Sequence, residues 1–126
     1  MEKLQVVHAL VSALEQGDAV ELVVVTGTRG SSPRSAGAWL AVGAEGPLAG
    51  TVGGGAVEDI AIREAIDLLA CGSSRTVSYT LGGRVSDTGM VCGGMSDLCY
   101  LYIDTDKLDF FKHLEKVLVE RGDEAL

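Results

Sequence analysis

Residues 47–71 read PLAGTVGGGAVEDIAIREAIDLLAC, and the fold turns on how this stretch divides. Pro47 to Val52 is short and apolar, as a strand would be. Three glycines in a row follow, Gly53, Gly54 and Gly55. From Ala56 to Cys71 the spacing becomes helical: Val57, Ile60, Ala61, Ala65 and Leu68 make one stripe, widened by Ile62, Ile66 and Leu69. Asp59, Arg63 and Asp67 sit four apart on the other face, where opposite charges support a helix, and Gly72 is placed to end it. A strand that runs through glycine straight into a helix predicts a layered α/β arrangement.

Working outward, residues 2–16 form an amphipathic helix on Leu4, Val7, Val11 and Leu14, with Gly17 as its C-terminal stop. His8 lies on the same face and reads as a packed or boundary histidine. Val20 to Thr28 (VELVVVTGT) is a β-branched run and reads as a buried strand. Ala36 to Val42 is a second strand, joined to Pro47–Val52 by a turn through Gly46. Downstream, Arg75 to Leu81 alternates with Val77, Tyr79 and Leu81 on one face, and Leu98 to Ile103 is a further strand. Asp106 is the expected N-cap of a last helix, with Asp109 at its third position and Leu108, Phe111, Leu114 and Leu118 as its apolar stripe. The expected fold class is therefore mixed α/β: a roughly five-stranded mixed sheet packed with three helices, in a single domain spanning 1–126.

The 126 residues are 47% hydrophobic and 22% charged, which excludes wholesale disorder, and one core of this size is sustainable. Aromatics are only 5%, so the core rests on Val, Leu, Ile and Ala. A net charge of -8 opposes binding to nucleic acid and to anionic membranes. Two windows, 22–44 and 68–86, contain no acid but hold Arg29 and Arg34, and Arg75 and Arg84. Three cysteines, Cys71, Cys92 and Cys99, fit neither a disulfide framework nor zinc-site spacing. With no signal-peptide pattern and no membrane-length apolar run, the expected location is cytoplasmic.

Glycine is the compositional outlier, with 17 residues, all but Gly17 and Gly122 lying between Gly27 and Gly94. They gather in three clusters. In the second, the junction at Gly53–Gly55 would turn backbone N–H groups outward at the positive end of a helix dipole, a ready anion site. A tight turn without a ligand fits the spacing equally well. The Lys-Ser/Thr pair of a P-loop is missing. Glu58, in the first turn, complements the dipole and could also accept a hydrogen bond from a ligand. In the first cluster, Pro33 stiffens a segment presenting Ser31, Ser32 and Arg34; Arg can grip phosphate bidentately, and an ordinary surface turn is the alternative. In the third, Cys92 precedes Gly93 and Gly94, so its thiol is either a nucleophile or soft ligand near free N–H groups, or a small buried residue.

The three clusters, Gly30-Ser31-Ser32-Pro33-Arg34 with Gly37, Gly50-Thr51-Val52-Gly53-Gly54-Gly55-Ala56-Val57-Glu58, and Gly89-Met90-Val91-Cys92-Gly93-Gly94, occur in order. Together they resemble the N-terminal domain of the XdhC/CoxI family, accessory proteins of molybdenum hydroxylases, from about residue 3 to residue 104. The resemblance implies an accessory protein, not an enzyme. Its cargo would be the molybdenum cofactor in its molybdopterin form, which it would keep intact during sulfuration and help load into a xanthine dehydrogenase- or carbon monoxide dehydrogenase-type apoenzyme. The implied binding residues are Ser31, Ser32, Arg34, Gly53, Gly54, Gly55, Glu58, Cys92, Gly93 and Gly94. Implied partners are the molybdenum hydroxylase apoenzyme, a cysteine desulfurase and a separate Rossmann-type protein, since full-length relatives continue into such a domain. A homodimer is expected, with no nucleic acid and no membrane. Many relatives carry Cys, His or Arg where this chain has Ala56, so a ligand role there is absent. Two other classes remain open on the residues alone: a small transferase or redox enzyme using Cys92, and a protein-assembly module whose glycines serve only as turns.

Overall fold

The computed structural model describes residues 2–29, 37–53, 55–80 and 95–121. In chain order these form α1 (Glu2–Glu15), β1 (Val20–Arg29), β2 (Trp39–Gly43), β3 (Gly46–Gly50), α2 (Gly55–Cys71), β4 (Arg75–Thr80), β5 (Met95–Ile103) and α3 (Leu108–Arg121). A short 3-10 turn, Thr105–Lys107, leads into α3.

The five strands make one sheet in the order β3-β2-β1-β5-β4. Five strands, three helices and the mixed α/β class stand as the sequence predicts. The pairing sense differs from the expected mixed sheet: β1–β2, β1–β5, β2–β3 and β4–β5 are all antiparallel. The reason lies in α2: among the described residues it carries the chain from edge strand β3 to the opposite edge, where β4 lies beside β5. The link therefore never joins two adjacent parallel strands.

The sheet is covered on both faces. Val20, Leu22, Ala41 and Ile103 pack against α1 and α3, where Val6, Val7, Leu10, Val11, Leu14, Phe111 and Leu118 complete one cluster. Val23, Val25, Leu40, Val42, Leu98 and Tyr100 point the other way, onto Ala61 and Ala65 of α2. Alternation along β1 thus feeds both layers, and each fully buried Val or Leu contributes about 1.5–3 kcal/mol of hydrophobic stabilisation. The small residues Ala61 and Ala65 let α2 lie close to the sheet. At the β4 side of this layer the Tyr79 and Tyr100 hydroxyls meet at 2.6 Å. Burial, and then that hydrogen bond, hold Tyr100 well above the ordinary phenol range.

Several boundaries differ from the sequence reading. The hairpin strands are Trp39–Gly43 and Gly46–Gly50, not 36–42 and 47–52. Gly50, at φ 89°, turns the backbone out of extended geometry and ends β3 before Thr51 and Val52. Strand β5 begins at Met95, because Ser96 and Asp97 continue the pairing opposite Thr28 and Gly27. Asp106 is not the cap: it lies inside the 3-10 turn that leads into α3, and that turn is capped two residues earlier by Asp104, whose side chain accepts from the Asp106 N–H at 3.0 Å. On α2 the predicted stripe is fully buried at Ala61 and Ala65 and half-buried at Val57 and Leu68, while Ile60 is 42% exposed. His8 is not packed: its side chain is exposed and its Nδ1 lies 2.6 Å from Glu115 Oε2 of α3.

Candidate functional site at one end of the sheet

The described chain ends that flank the three glycine clusters gather at one end of the sheet. Arg29, the last residue of β1, pairs with Met95, the first of β5, and Thr80, the last of β4, pairs with Met95 from the other side. Beside them, Gly37 donates its N–H to the Val25 carbonyl at 2.6 Å, and Thr51 donates to the Trp39 carbonyl at 3.0 Å. The described residues flanking 30–36 and 81–94, together with the β3–α2 junction, therefore all lie at this end. Of the predicted site residues, Gly53, Gly55 and Glu58 are described; Ser31, Ser32, Arg34, Gly54, Cys92, Gly93 and Gly94 lie outside the described residues.

The junction from β3 into α2 is held by a chain of hydrogen bonds. Glu58 Oε1 accepts from the Val52 N–H at 3.1 Å and from the Thr51 hydroxyl. Thr51 Oγ1 in turn accepts from the Gly53 N–H at 3.1 Å. The direction is fixed, because an N–H can only donate: the Thr51 proton must therefore point to Glu58. A carboxylate in the first helical turn thus ties the helix dipole to the two N–H groups of the turn ahead of it. The consequence for anion binding is specific. The Val52 and Gly53 N–H groups are spent inside the protein, so donors for an anion here must come from further into the helix N-terminus.

Gly55 opens α2 at φ 68°, and among the described residues nothing lies within 4 Å of the place a β-carbon would take. Nearby, Asp97 lies against Gly27: a β-carbon on Gly27 would stand 3.1 Å from Asp97 Oδ2. Ser78 donates to Asp97 Oδ1 at 2.6 Å, and the Thr26 hydroxyl donates to the Asp97 carbonyl at 3.3 Å. The β1 irregularity between Val25 and Gly27 makes room for this contact.

Sequence reasoning singled out Glu58 but missed its partner Thr51, and missed Asp97 altogether. A hydroxyl seven residues ahead of a first-turn carboxylate was the available signal for Thr51. For Asp97 the only hint was a small residue at Gly27 in an otherwise β-branched strand. Of the remaining cysteines, Cys71 is exposed at the far end of α2 and Cys99 is half-buried within β5. Among the described residues, no three His, Cys, Asp or Glu side chains are grouped to hold a metal ion, and no helix is long and apolar enough to cross a membrane.

A family model, the XdhC and CoxI family, matches residues 13–80. The chain is 36% identical over 84 residues to the molybdenum cofactor insertion chaperone PaoD of Escherichia coli (strain K12), a match covering 67% of this chain and 26% of that protein. Among solved structures it superimposes on a xanthine dehydrogenase from Bacillus halodurans with a TM-score of 0.68 and 21% identity, covering 89% of this chain and 35% of that one. At that identity the likeness is one of fold. The chain thus spans about a quarter of the curated relative and about a third of the solved chain.

Proposed function

The chain belongs to the XdhC and CoxI family, and from that premise we propose that it is an accessory protein that binds the molybdenum cofactor as cargo and assists its sulfuration or its insertion into a molybdenum hydroxylase. The observation that carries this reading is the gathering of the flanks of all three glycine clusters at one end of the sheet. The similarity to an insertion chaperone supports the cargo. The cofactor is an anionic pterin phosphate with a dithiolene-bound metal. Backbone N–H groups at the α2 N-terminus around Gly54 and Gly55 and the Arg34 guanidinium suit its phosphate. Ser31 and Ser32 supply hydroxyls, and Cys92, beside Gly93 and Gly94, supplies a thiol for the sulfur or metal side.

Within this reading Gly53 and Glu58 act on shape. Thr51 and Glu58 hold the turn so that the glycines stay open to the cargo, and the Glu58 carboxylate is turned inward rather than toward an anion it would repel. The partner is the apoenzyme of a xanthine dehydrogenase- or carbon monoxide dehydrogenase-type protein, with a cysteine desulfurase and a Rossmann-type protein completing the cycle. The site is cytoplasmic and the working form a homodimer.

Anaerobic incubation with purified molybdenum cofactor followed by gel filtration tests the proposal. Co-elution of molybdenum and pterin with the protein is expected. Pterin that elutes only in the small-molecule volume, with the protein folded, overturns it. Light scattering at micromolar concentration tests the dimer separately.

A further inference from the structure

Lys3 stands in the first turn of α1, and its Nζ lies 5.8 Å from the centroid of the Trp39 ring, within cation–π range. The same Nζ is 3.8 Å from the place a β-carbon on Gly37 would take. Gly37, at φ 99°, is the first described residue after segment 30–36. Trp39 offers the carbonyl that receives the Thr51 N–H, just ahead of the β3–α2 junction. The Lys3 ammonium is thus placed, from the α1 side, at the end of the sheet where the flanks of the glycine clusters lie.

Its surroundings hold the charge without cancelling it. Among the described residues no carboxylate pairs with Lys3, whereas Glu15 holds Lys112 at 3.4 Å and Glu64 holds Arg75 at 2.7 Å. An aromatic face fixes an ammonium but leaves its charge and its N–H donors available. The position adds a second argument. A cation in a first helical turn reinforces the positive end of the helix dipole, which is unfavourable unless an anion lies against both. In a chain of net charge -8, with no acid between residues 22 and 44, Lys3 and Trp39 keep a positive spot at this one end.

We propose that Lys3 is a further binding residue of the candidate site and takes the phosphate of the cargo from the α1 side. The inference deepens the cargo reading and rests on it. An ammonium is a compact point charge and suits a phosphate dianion better than the flat pterin ring. Arg34 precedes Gly37 by three residues, so Lys3 and Arg34 bracket one short stretch of chain with two cations.

The test is a titration of the ¹⁵N-labelled full chain with glycerol 3-phosphate at constant ionic strength, read by amide shifts, beside gel filtration with molybdenum cofactor. Saturable shifts centred on Gly37, Ala38 and the Trp39 indole are expected. Lys3→Gln should bind about fivefold to tenfold more weakly, as loss of a charged contact at a half-buried side chain would give, and should retain less cofactor. Lys3→Arg, which keeps the cation over the ring, should restore most of the affinity. Lys112→Gln alters the net charge equally and should bind as wild type. The absence of saturable shifts, shifts centred elsewhere, or equal phosphate binding or cofactor retention by Lys3→Gln overturns the proposal. Equal weakening in Lys112→Gln, the mark of net charge alone, overturns it too. If glycerol 3-phosphate binds through Lys3 while wild type fails to co-elute with the cofactor, Lys3 stands as a phosphate-binding residue and the cargo reading falls.

Discussion

Gly50 lies so close to Trp39 that a β-carbon built on it would stand 2.1 Å from the Trp39 carbonyl oxygen and 2.6 Å from Val6 of α1. The two residues belong to neighbouring strands, and Trp39 also receives the Thr51 N–H on that carbonyl. Gly50 therefore does three things: it adopts φ 89°, ends β3, and lets α1 settle on the hairpin. No side chain meets all three demands. Gly50→Ala should lower stability by about 3 kcal/mol or more, the sum of a positive-φ penalty and an overpacked contact. Urea unfolding monitored by Trp39 fluorescence checks this. A loss below about 1 kcal/mol would mean the hairpin shifts freely to admit a methyl.

The Glu58–Thr51–Gly53 relay makes a second prediction. Glu58→Ala removes the acceptor of the Val52 N–H, on a residue that is only 4% exposed. A buried donor left unpaired costs about 1–3 kcal/mol. Thr51→Val removes the acceptor of the Gly53 N–H and should cost less, since Gly53 is only half-buried and water can replace the hydroxyl. Hydrogen exchange should read both: amide 52 accelerates in Glu58→Ala, and amide 53 in Thr51→Val. Uniform acceleration across α2 in either variant would show that the relay supports the helix as a whole rather than the turn.

Glu21 makes the third. Burial alone pushes its carboxyl from 4.5 up to about 7. Between those values the folded chain keeps a proton that the unfolded chain has released. Stability contributed by the neutral carboxyl is thus complete below about pH 4.5, falls as pH rises through the window, and levels off above about pH 7. The span corresponds to about 3 kcal/mol at 1.36 kcal/mol per unit. Glu21→Gln should flatten this segment of the pH–stability curve, measured as urea midpoints from pH 4.5 to 8. Parallel curves for the two proteins would show that Glu21 finds a counter-charge on ionising.

The same residues show how far the sequence could be read. The strand–glycine–helix passage was legible because periodicity switches sharply at Ala56, and the helix stripes were legible because helical spacing survives context. Sheet direction was not, because a helical crossover looks alike whether it returns beside its strand or travels to the far edge. The hairpin boundary slipped because Thr51 and Val52 are good strand formers, and only the backbone angle at Gly50 removes them. Glu21 was invisible for a related reason. In VELVVV a charged residue in an alternating position looks solvent-facing, yet α2 covers that face. At the candidate site, sequence found the glycines, whose spacing carries the pattern. It did not find the Thr51–Glu58 tie, because a link across a turn leaves no period.

Gly55 and Gly72 supply a matched pair for the last prediction. They flank the same helix, α2, and both have φ 68°. Among the described residues neither is crowded: none lies within 4 Å of a β-carbon on Gly55, and the nearest atom to one on Gly72 is Tyr102 Cζ at 3.7 Å, an ordinary contact. Alanine at either position therefore meets the same backbone penalty, about 1–2 kcal/mol, without a clash. Thermal unfolding should place Gly55→Ala and Gly72→Ala close together. Cargo retention should separate them. Gly55 opens the helix at the end of the sheet where the described flanks of the glycine clusters lie, and a methyl there stands where an anion would approach the N-terminal N–H groups. Gly72 sits at the negative end of the dipole, where an anion gains nothing. Gly55→Ala should lose molybdenum cofactor on gel filtration under conditions where Gly72→Ala keeps it. Equal retention by the two variants would remove the α2 N-terminus from the binding site and leave the segments around Arg34 and Cys92 to hold the cargo alone.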